Sequence, residues 1–359
     1  MVKEKDIITK IATAGLVGRG GASYPTARKW AAVKSALKNK KQGYIIVNAA
    51  EGEPGVKKDG YILKHHAVGL FDGIYLADRF LGSKKIKKVY LFLNHKYYQE
   101  YGPGLKKALA VKKYRTLKEK IEFFIKPEKL TYISGEETAL LNLIEGKKVE
   151  PRLKPPYPTE HGLFGHPTLI NNPETFYDVS LVAAGRYEGE RFYTLGGALK
   201  RRGVYALPAN LSIEEVLRRT GNYPDRPFFV SVGGEASGEV FAADQLMGPV
   251  EGAGLIMVYD LEKTDEKKLF RYWLNFYKEQ SCGHCTICRE GTYRLLEMIN
   301  KRDNFHGDGK GRKKFDWDLF WEIVAGLEET SFCALGASLP IPLRSYWKNI
   351  VKRKKAKLS

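Results

Sequence analysis

"GYIIVNAAEGEPG", residues 43–55, decides the fold. Its first half is a strand-like apolar run, and that run passes directly into a loop of glycine, proline and carboxylates. Two further strand-like runs, "KKVYLFLN" (87–94) and "KIEFFIKPE" (120–128), alternate with helical stretches such as "HHAVGLFDGIYLADRFLG" (65–82). This β-α-β rhythm over roughly residues 26–185 predicts a parallel α/β sheet. Ligands of such sheets bind beyond the carboxyl ends of the strands, where Asn48, Glu51 and Glu53 stand.

The rhythm changes from about Arg191, where "RFYTLGGALKRRGVYAL" reads as a hairpin. Ser212 and Glu215 then form a capping box before "IEEVLRRTG", and "PFFVSVGG" and "GLIMVYD" add strands. Together these predict a small mixed β-grasp module. Beyond Asp260 the period is helical, with Leu269, Trp273, Phe276 and Tyr277 on one face and Leu295, Leu296 and Ile299 on another. The expected organisation is three domains, at residues 1–189, 190–261 and 262–359, with "RDNFHGDGKGRKKF" as an exposed loop in the last.

A chain of 359 residues with 43% hydrophobic content has ample material for such cores. No apolar run reaches the roughly 18–20 residues that span a bilayer, and "MVKEKDIITKIATAGL" lacks the features of a signal peptide, so no membrane insertion and a cytoplasmic location are expected. The net charge of +19 comes from lysines spread along the chain, which reads as a solvated surface and argues against nucleic acid. A basic face for an acidic redox partner stays open.

Four cysteines in a reducing compartment call for an explanation other than disulfides. Cys282, Cys285 and Cys288 form C-x2-C-x2-C in "SCGHCTICRE", with Cys333 far downstream in "SFCALG". That spacing suits a [4Fe–4S] cube held by a tight loop and one remote ligand; structural zinc and free thiols are the alternatives. Cys288 is expected to open the helix "TICREGTYRLLEMI", whose positive end favours thiolate charge.

"AGLVGRGGASYPTARKW" fits neither the dinucleotide fingerprint nor the P-loop. Its Gly15, Gly18, Gly20 and Gly21, followed by Pro25 in the first turn of a helix carrying Arg28 and Lys29, make either a phosphate or flavin cradle or a plain glycine-rich turn. "YISGEETALLNLIEG" sets Glu136 and Glu137 at a helix start, where the dipole alone would favour them. "PRLKPPYP" supplies Lys154 and Tyr157 on a proline-rich loop, and "TLINNPET" supplies Asn171, Asn172 and Thr175.

Taken in order, "GLVGRGGASYPTARKW", "NAAEGEPG", "YISGEETALLNLIEG", "PRLKPPYP", "GHPTLINNPET", "SCGHCTICREG" and "SFCALG" resemble the NADH-binding flavoprotein subunit of respiratory complex I and the matching subunits of NAD-linked hydrogenases and formate dehydrogenases. The resemblance implies a Rossmann-like FMN domain, a ubiquitin-like β-grasp domain of the soluble-ligand-binding type, and a helical bundle holding a [4Fe–4S] cluster. It further implies NADH dehydrogenase (diaphorase) chemistry, with hydride passing between NADH and FMN and single electrons passing through the cluster to a partner. By the same resemblance, Gly18, Arg19, Gly20, Lys29, Asn48, Glu51, Gly135, Glu136, Asn171, Asn172 and Thr175 contact FMN. Tyr24, Glu53, Glu137, Lys154 and Tyr157 face NADH, and Cys282, Cys285, Cys288 and Cys333 ligate the cluster. No side chain is expected to act as a general acid or base.

The chain departs from the family pattern at Ala50, where a carboxylate is usual, and at Ala32, where a ring is usual. It departs also at Ser23-Tyr24-Pro25, Gly60 and Ile287. An alternative is therefore an electron-transfer or assembly scaffold with a degenerate nicotinamide site. Some relatives fuse a thioredoxin-like [2Fe–2S] or a ferredoxin domain, for which no cysteines remain here, so electrons are expected to leave to an iron–sulfur partner subunit, as in a hydrogenase or complex I.

Overall fold

The computed structural model describes residues 4–129, 132–300 and 315–356. Most of the segment "RDNFHGDGKGRKKF", read from sequence as an exposed loop, lies outside the described residues.

Strands β1 (Gly43–Ala49), β2 (Ile86–Leu93), β3 (Ile121–Ile125) and β4 (Thr168–Asn171) form a parallel sheet in the order β3-β2-β1-β4. β1 is buried almost throughout because both sheet faces are covered. Ile45, Val47 and Ala49 face one apolar core with Trp30, Phe71, Ile74 and Phe176, and Tyr44 and Ile46 face another with Phe92, Leu140 and Leu163. On the first face the helices Ala67–Leu81 and Pro173–Ala183 pack together at Gly73. A side chain on Gly73 would begin 1.8 Å from the Phe176 carbonyl oxygen, so only glycine permits this approach. The chain order reverses between β2 and β4, which makes the carboxyl end of β1 a topological switch point.

Strands β5 (Glu190–Gly197), β6 (Gly203–Pro208), β7 (Phe228–Gly233), β8 (Glu239–Ala242) and β9 (Leu255–Asp260) form a second sheet in the order β6-β5-β9-β7-β8. The first and last strands, β5 and β9, pair in parallel at its centre, and all other pairings are antiparallel, as in a β-grasp. The Ser212–Glu215 capping box is formed and starts the helix Ile213–Arg219, which covers this sheet.

The helices Glu266–Gln280, Thr292–Asn300, Trp317–Thr330 and Pro340–Tyr346 bury Phe270, Trp273, Leu295, Phe320 and Tyr346 in one core. Helical backbone begins at Thr286, so Cys288 sits inside the first turn and does not open it; there the backbone widens into a π turn, Ile287–Gly291. The bundle also covers the edge of β8. The Val240 N–H donates to the Ser345 hydroxyl (2.9 Å), Asn349 donates to the Val240 carbonyl (2.7 Å), and Arg353 grips Asp244 through both carboxylate oxygens (2.6 and 2.7 Å). Side chains thus replace a missing neighbour strand. No helix among the described residues is long and apolar enough to cross a membrane.

Candidate functional site: a strand-end cleft beside four thiols

The carboxyl end of β1 turns its polar side chains in three directions. Asn48 donates to the Gly135 carbonyl (2.8 Å), tying the strand to the turn before the helix Glu137–Ile144. Glu51, at φ 27°, accepts from the N–H groups of Asp59 (2.8 Å) and Gly60 (3.2 Å) and from the Tyr97 hydroxyl. Its carboxylate therefore caps the helix Lys58–His65. Glu53 reaches the β-grasp unit, where its Oε1 accepts from Ala236 N–H (3.1 Å) and Ser237 N–H (3.2 Å). Burial raises the Glu53 pKa more than these donors and the Tyr132 hydroxyl lower it.

The glycine-rich segment closes on itself through Gly18 N–H to Tyr24 O and Thr26 N–H to Leu16 O, both 2.9 Å. Pro25 is the residue before the helix Thr26–Ala36 and not part of its first turn. At the loop tip Gly21 has φ +111° with no atom within 4 Å of a would-be side chain, and Gly20 approaches only Asn172 Cβ, at 4.0 Å. The exposed tip leaves room for a ligand against the backbone. Arg19 turns the other way: its Nε lies 3.2 Å from Asp178, its guanidinium donates to the Tyr187 hydroxyl (2.8 Å), and its own N–H donates to the Thr175 hydroxyl (2.9 Å). Its side chain anchors the loop from beneath and does not face the cleft.

Lys29 donates to the Ile170 carbonyl (3.2 Å) and lies 3.6 Å from Glu137. Lys154 contacts both Glu136 (2.8 Å) and Glu137 (3.2 Å). These four alternating charges line one wall. Glu136 also caps its helix, accepting from Thr138 N–H (2.8 Å) and Ala139 N–H (2.9 Å). Burial would raise its pKa, but Lys154, the Thr138 hydroxyl and the Ala139 N–H hold it below the ordinary carboxylate range. Tyr24 and Tyr157 are half exposed, at 50% and 52%, so their rings are available to stack on a ligand.

After β4, Asn172 caps the helix Pro173–Ala183 by accepting from the Thr175 N–H (3.1 Å) and hydroxyl (2.6 Å). Its amide nitrogen donates to Asp59 (3.4 Å). The Asn171 amide oxygen is buried with no hydrogen-bond partner among the described residues. An acceptor left unmet in this way costs about 1–3 kcal/mol, which a donor on a ligand in the cleft would recover. The imide N–H of a flavin ring is such a donor, and the open glycine tip with Lys29 suits an anionic phosphate; the residues present fit FMN.

Beneath the cleft lies a buried network that sequence reasoning missed. Lys58 bridges Asp59 (2.8 Å) and Glu174 (3.0 Å), and Glu174 accepts from the Phe192 N–H (2.9 Å). Burial is the largest influence on this group: it pushes Asp59 and Asp178 up, and although it also disfavours the Lys58 charge, the carboxylates of Asp59, Glu174 and Glu51 outweigh it and keep Lys58 firmly protonated. The available signal was Glu174 and Asp178 one helical turn apart, starting two residues after Asn172.

The four cysteines are free thiols, with Cys288 buried and the other three half-buried. The Cys288 thiol is pushed up to about 11, first by burial, opposed by the Ser281 hydroxyl and assisted by the other three sulfurs. His284 points outward, with Nδ1 3.3 Å from Glu150 and its ring 4.7 Å from Phe332, and is not part of the thiol group. Among the described residues no three His, Cys, Asp or Glu side chains converge on a single metal position. Cys288 lies within electrostatic reach of the other three sulfurs, and Cys333 within reach of Cys282 and Cys285; four thiols grouped in this way fit the ligation of a [4Fe–4S] cluster.

Tyr132 stands between the two ends. A side chain on Gly52 would meet its ring at 2.9 Å, its hydroxyl hydrogen-bonds Glu53, and it lies within electrostatic reach of Cys333. Its ring packs edge-on against Phe276 of the bundle, 5.4 Å between centroids.

A doubly wound cleft beside a four-thiol bundle defines a flavin and iron–sulfur class of protein. The Nuo51 FMN-binding domain matches residues 11–181, and the NADH-ubiquinone oxidoreductase-F iron-sulfur binding region matches residues 268–355. The chain is 30% identical to the F-type subunit of the NADH-quinone oxidoreductase of Aquifex aeolicus (strain VF5), over 93% of this chain and 81% of that protein. It is 31% identical to the corresponding F-type subunit of Mycobacterium tuberculosis (strain ATCC 25618 / H37Rv), over 95% and 82%. An NAD+-reducing [NiFe]-hydrogenase in the H2-reduced state superposes with a TM-score of 0.86 at 28% identity, covering 99% of this chain and 63% of that chain. The chain belongs to the family of F-type subunits of NADH-quinone oxidoreductase.

Proposed function

We propose that this chain exchanges hydride with a nicotinamide dinucleotide at the strand-end cleft and relays electrons through the four cysteines to a partner subunit, or runs the reverse. FMN, when bound, accepts hydride and gives up electrons singly, and a [4Fe–4S] cluster takes one electron at a time. The chain's own part is positioning. Gly18, Gly20, Lys29, Asn48, Gly135, Glu136, Asn171, Asn172 and Thr175 surround FMN, with Arg19 and Glu51 bracing the loops from behind. Tyr24, Tyr157, Lys154, Glu137 and Glu53 receive the dinucleotide, and Cys282, Cys285, Cys288 and Cys333 hold the cluster. We divide the chain at 189/190 and 261/262, assign it to the cytoplasm, and infer an iron–sulfur partner such as a thioredoxin-like [2Fe–2S] subunit within a hydrogenase or complex I type assembly.

The observation that carries this reading is Tyr132, whose ring touches the flavin-side loop at Gly52 and whose surroundings include Cys333. The two redox stations thereby share one side chain. A second reading, a scaffold that keeps FMN and the cluster without nicotinamide chemistry, draws on Ala50, which is buried against Gly135 and supplies no carboxylate.

Anaerobically purified protein should contain FMN together with about four iron and four sulfide per chain. NADH should bleach the flavin absorbance and support ferricyanide reduction. Bound flavin and cluster with neither response at millimolar NADH, partner subunits included, would overturn the enzyme reading in favour of the scaffold.

A further inference from the structure

Cys288 is the one cysteine of the four that is buried; the Ser281 hydroxyl contacts its sulfur, and the Ser331 hydroxyl lines the same tight space around Gly336 as its Cβ. The Cys288 sulfur lies 3.4 Å from the Ser281 hydroxyl, which also accepts from the Gly283 N–H (3.2 Å). With that lone pair taken, the hydroxyl proton is free to turn toward the sulfur. A free thiol donates to this oxygen, but a thiolate bound to iron has no proton to give, so the direction reverses and the hydroxyl donates. The second hydroxyl, that of Ser331, is buried and has no hydrogen-bond partner among the described residues. It lies 2.2 Å from the point where a side chain on Gly336 would begin, and Cys288 Cβ lies 3.3 Å from the same point. Ser331 and Cys288 therefore share one tight space that only a glycine at 336 leaves open. Each cysteine-bearing segment brings its own serine, Ser281 just before Cys282 and Ser331 two residues before Cys333.

We propose that Ser281 and Ser331 are positioning residues that raise the reduction potential of the cluster, Ser281 by donating a hydrogen bond to the Cys288 thiolate and Ser331, whose hydroxyl reaches no cysteine sulfur on its own, by offering its unused proton to the inorganic sulfur that a bound cluster brings. The physical reason is charge. Each electron added to the cluster makes its sulfurs more negative, so a fixed donor stabilises the reduced form more than the oxidised form. At the half-exposed cysteines water can do this, but at Cys288 only protein groups can. The inference rests on the cluster assignment under the proposed function and deepens it, since it names what sets the potential of the electron relay.

The test uses the full chain, prepared anaerobically, in wild-type form and as Ser281→Ala, Ser331→Ala and the double variant, with Ser281→Thr and Ser331→Thr as controls that keep the hydroxyl. Each is titrated with redox mediators while the reduced cluster is followed by EPR. Both alanine variants should shift the midpoint to lower potential, the double variant should shift furthest, and the threonine variants should stay near wild type. FMN affinity should not change. Alanine variants with full iron and sulfide and an unmoved midpoint would overturn the proposal. If an alanine variant fails to hold a cluster, the wild-type protein decides: after exchange into D2O, pulsed EPR should detect deuterons coupled to the cluster, and their absence would overturn the proposal equally. Absence of iron and sulfide from the wild type would instead remove the cluster assignment itself, a separate failure.

Discussion

The cleft end and the thiol end of this molecule solve opposite problems. At the cleft, charged side chains are buried in quantity: Arg19, Lys58, Asp59, Glu174 and Asp178 all lie within the protein, each paired. At the thiol end the surroundings are aliphatic and aromatic, and the polar groups beside the buried sulfur are hydroxyls. Hydride exchange needs a dinucleotide and a flavin ring held in one relative pose, which directional polar contacts provide. A one-electron relay needs soft ligands in a low-dielectric setting, which an apolar helical bundle provides. Two carboxylates of the cleft repeat the contrast on a smaller scale. Glu136, among cations and N–H donors, is held low, whereas Glu53, buried against the β-grasp unit, is pushed up by burial.

The sharpest way to break the comparison is to remove one end alone. Cys333→Ser should abolish most cluster loading, because one corner of the cube loses its thiolate, while FMN binding persists; iron, sulfide and flavin analysis reads both at once. Loss of flavin together with iron would mean that the two ends do not fold independently.

At the cleft end, Asp178→Ala leaves the Arg19 guanidinium buried without its partner, and breaking such a pair costs about 3–5 kcal/mol. Denaturant unfolding should report a loss of that order. Flavin fluorescence titration of the apoprotein should show weakened FMN affinity, because Arg19 carries the glycine loop. Asp178→Asn, which still accepts a hydrogen bond, should recover part of both.

Selectivity between dinucleotides should be a smaller effect. If Glu137 lies near the adenosine ribose, the 2′-phosphate of NADPH meets a like charge worth about 3 kcal/mol at about 5 Å and an effective dielectric of about 20. Lys29 and Lys154, 3.6 and 3.2 Å from Glu137, offset part of it. NADH should therefore have the higher kcat/KM, and Glu137→Gln should narrow the ratio. Equal values for the two dinucleotides in the unaltered protein would falsify the placement of Glu137.

The smallest effect tests the two carboxylates by pH. A carboxyl whose pKa is raised on folding contributes most when protonated, so Glu53 loses the protein stability as pH rises from the unfolded pKa through the folded one. Glu136, held low, does the reverse: its contribution is present above the unfolded carboxylate pKa and is lost as pH falls through the folded one. Relative to wild type, Glu53→Gln should gain stability with rising pH, and Glu136→Gln should lose it. Thermal unfolding between about pH 4 and pH 8 measures both slopes, and equal slopes would erase the distinction.

Much of this was legible from residues alone. The apolar run ending at Asn48 and Ala49 dictates a buried strand, because an uninterrupted apolar segment of that length is stable only when covered on both faces. Ser212 with Glu215 dictates a helix start, since both halves of a capping box act within one turn. The cysteine spacing likewise limits what three thiols in one tight loop can hold. These signals are local, and local geometry follows from neighbours in sequence. Long-range geometry decided the rest. That the Arg19 side chain turns inward to Asp178, that Glu53 reaches Ala236 and Ser237 in another unit, and that Ser331 shares space with Cys288 depend on contacts between segments far apart in the chain. A side chain's orientation is set by whichever partner the fold brings within hydrogen-bond range, and that partner is fixed only when the sheets and helices have packed.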